Sequence, residues 1–438
     1  LNKTRWLVIL VWSAVLFSTG EFIFRGIVRH DSGALNDFAA PYVATRMWLH
    51  GDNPYDSAEF FKVWGRAGGP NEADAPADTS GISGSHAVYP PPSLPLMTPM
   101  AVFSWKTANR LLIGLTVVLY LAAVWMMLTW MEGGWNGLKK PLFLAYALGL
   151  APIHSVLHTS NIAGLSGSLL LIGTFALLNK GKSLYKSKRL WGPVSVAAAV
   201  CIKVTMGAVL VPYLLRMREW RTLRIVVCLV ALVGIVSLAP IIHDRAAWIS
   251  DYKSNVAVVF THGGAADVSG ENHARFDLLN LQLPFYALLH SRELSSLAVG
   301  VVVILLLGGW VFAPDDRGGS LRERHLLLIA GLAVIGLLAF YQRYYSGVLL
   351  LVPMLWAMQH PGRASNRWTI AICCCFLGNT EAFLRQCSWF ARLSQQHPAL
   401  VDTVIGPHLC WLLLILAVIL VSQLYVKDSG RPIEKMGA

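Results

Sequence analysis

The run LWGPVSVAAAVCIKVTMGAVLVPYLL, residues 190–215, decides how this chain is read. It is long and apolar enough for one membrane crossing, yet it carries a single charge, Lys203, near its middle. Basic clusters flank it: Lys180, Lys182, Lys186, Lys188 and Arg189 before, and Arg216, Arg218, Arg221 and Arg224 after. Short loops rich in Lys and Arg remain on the cytoplasmic side of a membrane. A single crossing would strand one cluster on the far side. Two short helices bent around Ile202-Lys203-Val204-Thr205 keep both clusters inside. Each half then has about 12 residues and reaches about 18 Å, so the bend can stop short of the far surface. Broken backbone at that depth is tolerated where it lines a protein-walled cavity, not where it faces lipid.

The rest of the chain has the same character. Of its 438 residues, 55% are hydrophobic and 14% charged, against about 25% charged in a soluble domain. Apolar runs such as 297–313 and 409–426 approach or reach the roughly 17–25 residues that cross about 30 Å of hydrocarbon. The chain is therefore an all-α polytopic membrane protein, read as one integral membrane domain over residues 1–438. The net charge of +12 resides mostly in short loops between spans, which sets topology and excludes nucleic acid as a partner. Cys201, Cys228, Cys373, Cys374, Cys375 and Cys410 fall in apolar runs and Cys387 in a polar loop, so neither a disulfide framework nor a CxxC metal spacing is present. The first apolar run, 6–24, follows Lys3 and Arg5 and lacks a small-residue cleavage site after it. It reads as a retained helix with a cytoplasmic N-terminus.

Carried along the chain, the charge rule predicts a bundle of about 10–12 transmembrane or half-membrane helices. A first outer loop, 29–106, contains apolar residues at helical spacing over 38–49, which predicts an amphipathic helix in the membrane interface. Gly51-Asp52-Asn53-Pro54 ends that helix, residues 65–86 read as a mobile Gly/Ala/Ser-rich stretch, and Tyr89-Pro90-Pro91-Pro92 stiffens the approach to the next span. Spans follow at 109–131, 141–151 and 162–178, with 152–161 as a connecting segment. After the bent hairpin come 225–242, a second outer loop over 243–294, and spans at 297–313, 326–340, 348–358, 368–383 and 408–426. The C-terminal tail falls inside. No internal repeat is evident.

This topology gathers the unexpected polar residues on the outer side: Asp37, Tyr55, Asp56, Tyr89, His154, His158, Asn161, Lys203, Asp277, Asn280, Gln342, Arg343 and Tyr344. A lysine at mid-helix costs roughly 2.5–3.5 kcal/mol on insertion scales, so Lys203 either faces a cavity and a partner or snorkels outward and marks the bend. With Arg343 arriving from another helix, it suits a phosphate or pyrophosphate at the lipid–water boundary. His154 and His158 have the i, i+4 spacing of a helical metal pair but no third ligand at sensible spacing, so they read as interface histidines and no metal is expected. The Tyr and Trp residues around 42–64 read as an interface belt, with substrate contact the alternative.

A family resemblance becomes specific at this point. Asp37-Phe38 with Tyr42, then Gly51-Asp52-Asn53-Pro54-Tyr55-Asp56 and Tyr89-Pro90-Pro91, resembles the first loop of glycosyltransferase family 87, also called DUF2029. That family is a bacterial branch of the GT-C membrane glycosyltransferases and includes a polyprenol-phosphate mannosyltransferase of phosphatidylinositol mannoside synthesis. Ser160-Asn161 before a Leu-rich helix stands where the family has Gly-Gln-x-Asn. Ala199-Val200-Cys201-Ile202-Lys203 with its basic exit is similar to the family's Ala-Ile-Lys segment. Asp277-Leu278-Leu279-Asn280 and Gln342-Arg343-Tyr344-Tyr345 match more weakly, the latter standing where the family often has a Trp and His pair.

The resemblance implies a GT-C-like bundle and a single-displacement sugar transfer. Asp37 would be the general base, with a sugar moved from a polyprenyl-phosphate donor to a glycolipid or glycan acceptor and inversion at the anomeric carbon. Lys203 and Arg343 would bind the donor phosphate, and Tyr42, Tyr55 and Tyr89 would stack on sugar or polyprenyl units. Asn161, His158, Gln342, Tyr344 and Asn280 complete the expected substrate contacts. No cofactor is expected, and the site is placed on the periplasmic or extracellular face of a bacterial inner membrane. The rival reading is a transporter or lipid flippase using the broken-helix cavity around Lys203.

Overall fold

The computed structural model describes residues 3–29, 36–70, 86–135, 137–179, 190–240, 245–315, 320–379, 383–384 and 386–426. Helix α1 (Lys3–Glu21) continues in wider π-type turns over Phe22–Val28. Three helices precede the next long one: α2 (Ala39–His50), α3 (Phe60–Arg66) and α4 (Ser93–Ala101). Helix α5 (Trp105–Trp130) is followed by α6 (Lys139–Gly149), α7 (Ala151–Thr159) and α8 (Ala163–Leu178). Helix α9 (Trp191–Ile202) leads through the short α10 (Val204–Gly207) and a 3-10 turn to α11 (Val211–Arg216). Then come α12 (Trp220–Leu238), α13 (Arg245–Phe260), α14 (Gln282–Leu289), α15 (Arg292–Val311) and α16 (Leu321–Ala339). The chain ends in α17 (Leu351–Gln359), α18 (Ala364–Cys374), α19 (Ser388–Gln396) and α20 (His408–Gln423).

Among the described residues, six helical stretches are long and apolar enough to cross a membrane, and four shorter apolar helices accompany them. The fold is thus the all-α polytopic bundle that the composition predicts. Helix α16 forms its centre. Every residue from 326 to 338 is buried, as expected of a helix that is hydrophobic all round and enclosed by its neighbours. Small residues set the closest approaches. A side chain at Gly173 would meet the Gly192 carbonyl at 3.0 Å, so α8 and α9 pack nearly backbone to backbone.

The bent hairpin of residues 190–215 is present. Helix α9 stops at Lys203, whose backbone is extended (φ −148, ψ 96), and the chain restarts as α10. The turn is tight enough that a Cβ on Gly207 would press into the backbone of Val200 and Ala199.

Basic side chains collect at one end of the bundle and close the C-terminal ends of helices there. Arg322 donates to the Trp130 carbonyl at the end of α5 and lies over the Trp130 ring. Arg216 donates to the carbonyls of Trp310 and Ala313 at the end of α15, and Lys139 to that of Gln359 at the end of α17, at 2.8 Å. Cations at helix C-termini satisfy orphan carbonyls and complement the helix dipole. Residues from which the charge rule reads topology therefore also fasten the bundle. The basic cluster in 180–189 lies outside the described residues, as do Arg317 and the tail beyond residue 426.

Two expectations are corrected. Residues 152–161 are not a connecting segment: α7 continues the direction of α6 after a kink at Leu150, with Pro152 in its first turn. The apolar face of helix α2, expected to meet lipid, is instead covered by protein. Tyr42, Val43, Ala44, Met47 and Trp48 are all buried, mostly beneath α3 and α4 and the start of α5, because protein covers the apolar face the sequence offered to lipid. The 65–86 stretch falls for most of its length, residues 71–85, outside the described residues.

Candidate active site

At the end of the bundle away from those basic caps, the segment before α2 docks on the junction of α7 and α8. Ser160 takes a left-handed backbone (φ 53), which ends α7 and turns the chain into α8. Three hydrogen bonds fasten the two segments. The Asp37 amide donates to the Thr159 carbonyl at 3.1 Å, Asn36 Nδ2 donates to Ser160 Oγ at 3.1 Å, and Asn161 Nδ2 donates to Asp37 Oδ2 at 2.8 Å. Asn161 Oδ1 accepts from the Ala163 amide at 2.8 Å, so its amide group is committed on both sides. Asp37 itself remains partly accessible.

Lys203 emerges from the broken helix onto the same place. Its ammonium lies 4.6 Å from the centroid of the Tyr345 ring, a cation–π contact, and it forms no ion pair among the described residues. The Asp37 carboxylate acts electrostatically on Lys203, Arg343, Tyr89, Tyr341 and Tyr345, so these groups share one neighbourhood. Arg343 reaches it from the segment between α16 and α17. It lies 3.6 Å from the Asp277 carboxylate, and its backbone bridges to Leu278 in antiparallel fashion. Desolvation first, and the nearby Asp37 charge second, push the Tyr89 phenol well above its ordinary value, so it stays a proton donor.

The stretch 341–343 is extended and leads into a 3-10 helix that begins at Tyr344 (Tyr344–Leu350). Tyr341 and Arg343 are partly accessible, whereas Gln342 and Tyr344 are buried. Gln342 Nε2 donates to the Thr205 carbonyl at 3.1 Å, tying this segment to the hairpin tip. The Tyr344 hydroxyl donates to the Gly378 carbonyl at 2.8 Å and its ring stacks on Phe376. Tyr341 was not among the residues expected at the site, and the alternation of accessible Tyr341 and Arg343 with buried Gln342 has no counterpart in their hydropathy.

The other expected substrate contacts are placed as follows. The Tyr42 hydroxyl donates to the Phe103 carbonyl at 2.8 Å, and its ring is wedged against Phe38 and Trp105. Tyr55 is buried against Tyr252 and Trp248, with its hydroxyl donating to the Tyr89 carbonyl at 3.0 Å. His158 is exposed on α7, while His154 is buried and bonds the Leu148 carbonyl at 2.8 Å. Asn280 is buried beside the Leu278–Arg343 bridge, and its Oδ1 has no hydrogen-bond partner among the described residues. Structure therefore joins Asp37, Asn161, Lys203, Arg343 and Tyr89, and gives Tyr42, Tyr55, Gln342 and Tyr344 packing and bracing contacts.

One trio among the described residues has ligand atoms mutually within 4.8 Å: His262, Asp267 and Glu271. The buried Asp267 carboxylate already accepts from the Ser269 amide and hydroxyl, the Gly263 amide and Arg292. Burial raises its pKa, but those donors together outweigh burial and hold it below the ordinary carboxylate value. With its lone pairs spent, Asp267 is a loop clasp rather than an open ligand.

Neither a curated protein nor a solved structure matches. The family model of glycosyltransferase family 87 matches residues 87–340, more than half of the chain. The matched part contains Tyr89, Asn161, Lys203 and Asp277; Arg343 follows its end directly, while Asp37 lies well before its start. A polytopic bundle whose broken-helix lysine and docking asparagine fall within that match has one assignment: the chain belongs to glycosyltransferase family 87.

Proposed function

We propose that this membrane glycosyltransferase moves a sugar, mannose or another hexose or pentose, from a polyprenyl-phosphate donor to a glycolipid or glycan acceptor. The reaction takes place at the outer face of a bacterial inner membrane, with both termini cytoplasmic. One observation carries the reading: a partly accessible carboxylate, Asp37, shares a neighbourhood with two cations, Lys203 and Arg343, at the end of the bundle away from the basic helix caps. A base and a phosphate site side by side are what displacement of a lipid phosphate requires.

In the step proposed, the acceptor hydroxyl oxygen attacks the anomeric carbon and forms the new glycosidic bond. The bond from that carbon to the donor phosphate oxygen breaks, and its electron pair leaves on the polyprenyl phosphate. Asp37 takes the hydroxyl proton. Lys203 supplies a point charge to the departing phosphate, and Arg343 a planar fork able to grip two of its oxygens. One displacement inverts the anomeric centre. The donor's lipid tail keeps the phosphate at the bilayer surface, where Lys203 emerges.

The test is a panel of polyprenyl-phosphate sugars and lipid or glycan acceptors, offered to the purified full chain in nanodiscs and read by mass spectrometry. Wild type yields a glycosylated acceptor, and Asp37→Asn lowers turnover by about a thousandfold or more while donor binding persists. Unchanged turnover in Asp37→Asn removes Asp37 from the chemistry. Substrate counterflow in vesicles with no new glycosidic bond would instead identify a transporter.

A further inference from the structure

We propose that Asn161 is the positioning residue for Asp37: its side-chain amide holds one carboxylate oxygen and leaves the other to face the acceptor hydroxyl. The inference rests on reading Asp37 as the base. It goes beyond that reading because it assigns Asn161 to the carboxylate rather than to substrate.

The geometry points to this role. Asn161 Nδ2 reaches Asp37 Oδ2 at 2.8 Å, and no other hydrogen bond to the Asp37 carboxylate occurs among the described residues. Asn161 is 3% exposed, so its amide has little access to a substrate. Its orientation is fixed from behind: Oδ1 accepts the Ala163 amide at the start of α8, and a flipped amide would turn NH2 toward that amide and a carbonyl toward a carboxylate. The donor is thus held by the first turn of α8, an element packed along α5 and α9. Two further bonds, Asp37 amide to Thr159 carbonyl and Asn36 to Ser160, fix the backbone on which the carboxylate stands.

Such an arrangement has two consequences. A carboxylate held by one oxygen presents the other along a single direction, and a general base needs its acceptor oxygen within about 2.6–3.2 Å of the proton it takes. The same contact occupies Oδ2, so the acceptor hydroxyl meets the other carboxylate oxygen. Other groups act on Asp37 from the elements around it: Lys203 from the end of α9, Arg343, Tyr341 and Tyr345 from the segment after α16, and Tyr89 from the segment before α4. None of these is a hydrogen-bonded partner of the carboxylate, which leaves its orientation to Asn161.

The decisive variant is Asn161→Asp. It is nearly the same size and keeps an oxygen to accept the Ala163 amide, so the start of α8 remains capped, but it replaces the donor by a second acceptor. Asn161→Ala removes both functions. The readout is the pH dependence of Asp37 modification by a water-soluble carbodiimide, which reacts with the protonated carboxyl, followed by peptide mass spectrometry on the full chain in nanodiscs. The expected result is a labelling midpoint about one unit or more higher in Asn161→Asp, and a smaller rise in Asn161→Ala. The acid limb of turnover moves the same way, and kcat falls more than KM rises. A midpoint unchanged in both variants, with melting temperature retained in Asn161→Asp, overturns the proposal. The labelling needs no substrate. It therefore stands apart from the Asp37→Asn test: a shifted midpoint with Asp37→Asn still active would sink the base and keep the contact.

Discussion

Lys203 and Tyr344 show how differently two polar side chains at one end of the bundle can serve. Lys203 has a ring beneath it and a carboxylate nearby but, among the described residues, no ion pair. The Tyr344 hydroxyl is spent on Gly378 and its ring on Phe376. Lys203→Met keeps the length and removes the charge, and should lower kcat about 100- to 1000-fold, the loss typical of one transition-state charge donor, with little change in melting temperature. Tyr344→Phe should do the reverse. It should leave turnover within about twofold and cost about 1 kcal/mol of stability, the worth of one ordinary hydrogen bond. Steady-state kinetics and thermal unfolding on the same preparations separate the two; equal effects on kcat would dissolve the distinction. From the sequence both residues were candidates, because a tyrosine next to an arginine carries no mark of which face it presents. The extended backbone at 341–343, which decides that, is imposed by pairing with 278–279, far away in sequence.

At the scale of elements, the hairpin was legible and the covered helices were not. Two basic clusters around one apolar run forced a bend, and Lys203 marked its place. Gly207 makes the bend possible, since a methyl group there would press into the backbone of Val200 and Ala199. Gly207→Ala should therefore cost about 1–3 kcal/mol, as an overpacked contact does, and move Lys203 relative to Asp37. Gly114→Ala, where nothing lies within 4 Å of the added carbon, should leave stability unchanged or raise it by up to about 1 kcal/mol. Differential scanning calorimetry in one detergent compares them, and equal melting temperatures would remove the strain argument. Helix α7 was missed for a different reason. Pro152, two histidines, Thr159 and Asn161 gave the segment the look of a loop, although Ile153, Val156 and Leu157 already had the spacing of one buried helical face. Helix α2 was placed in the interface because hydrophobic periodicity reports that a face is covered and is silent on whether lipid or protein covers it.

For the whole molecule, charge did more than composition. The excess of Lys and Arg gave a direction to every crossing before any side chain was placed. The structure now shows that Arg216, Arg322 and Lys139 hold the C-terminal carbonyls of three helices at one end, while Asp37, Lys203 and Arg343 share the other. With the basic end inside, as the charge rule expects, leaflet electrostatics and helix dipoles would act on the same residues in the same sense. Orientation can be read directly by labelling. In a background with the seven cysteines replaced by serine or alanine, Asp52→Cys marks the turn after α2 and Glu132→Cys the exposed loop between α5 and α6. A membrane-impermeant maleimide added to intact spheroplasts should label Asp52→Cys within minutes and reach Glu132→Cys only after the membrane is opened. The opposite pattern would put Asp37 and Lys203 on the cytoplasmic face. A lipid-phosphate donor presented at the outer leaflet could not reach them there, whereas soluble nucleotide sugars could, so the orientation of two loops decides which class of donor the site can meet.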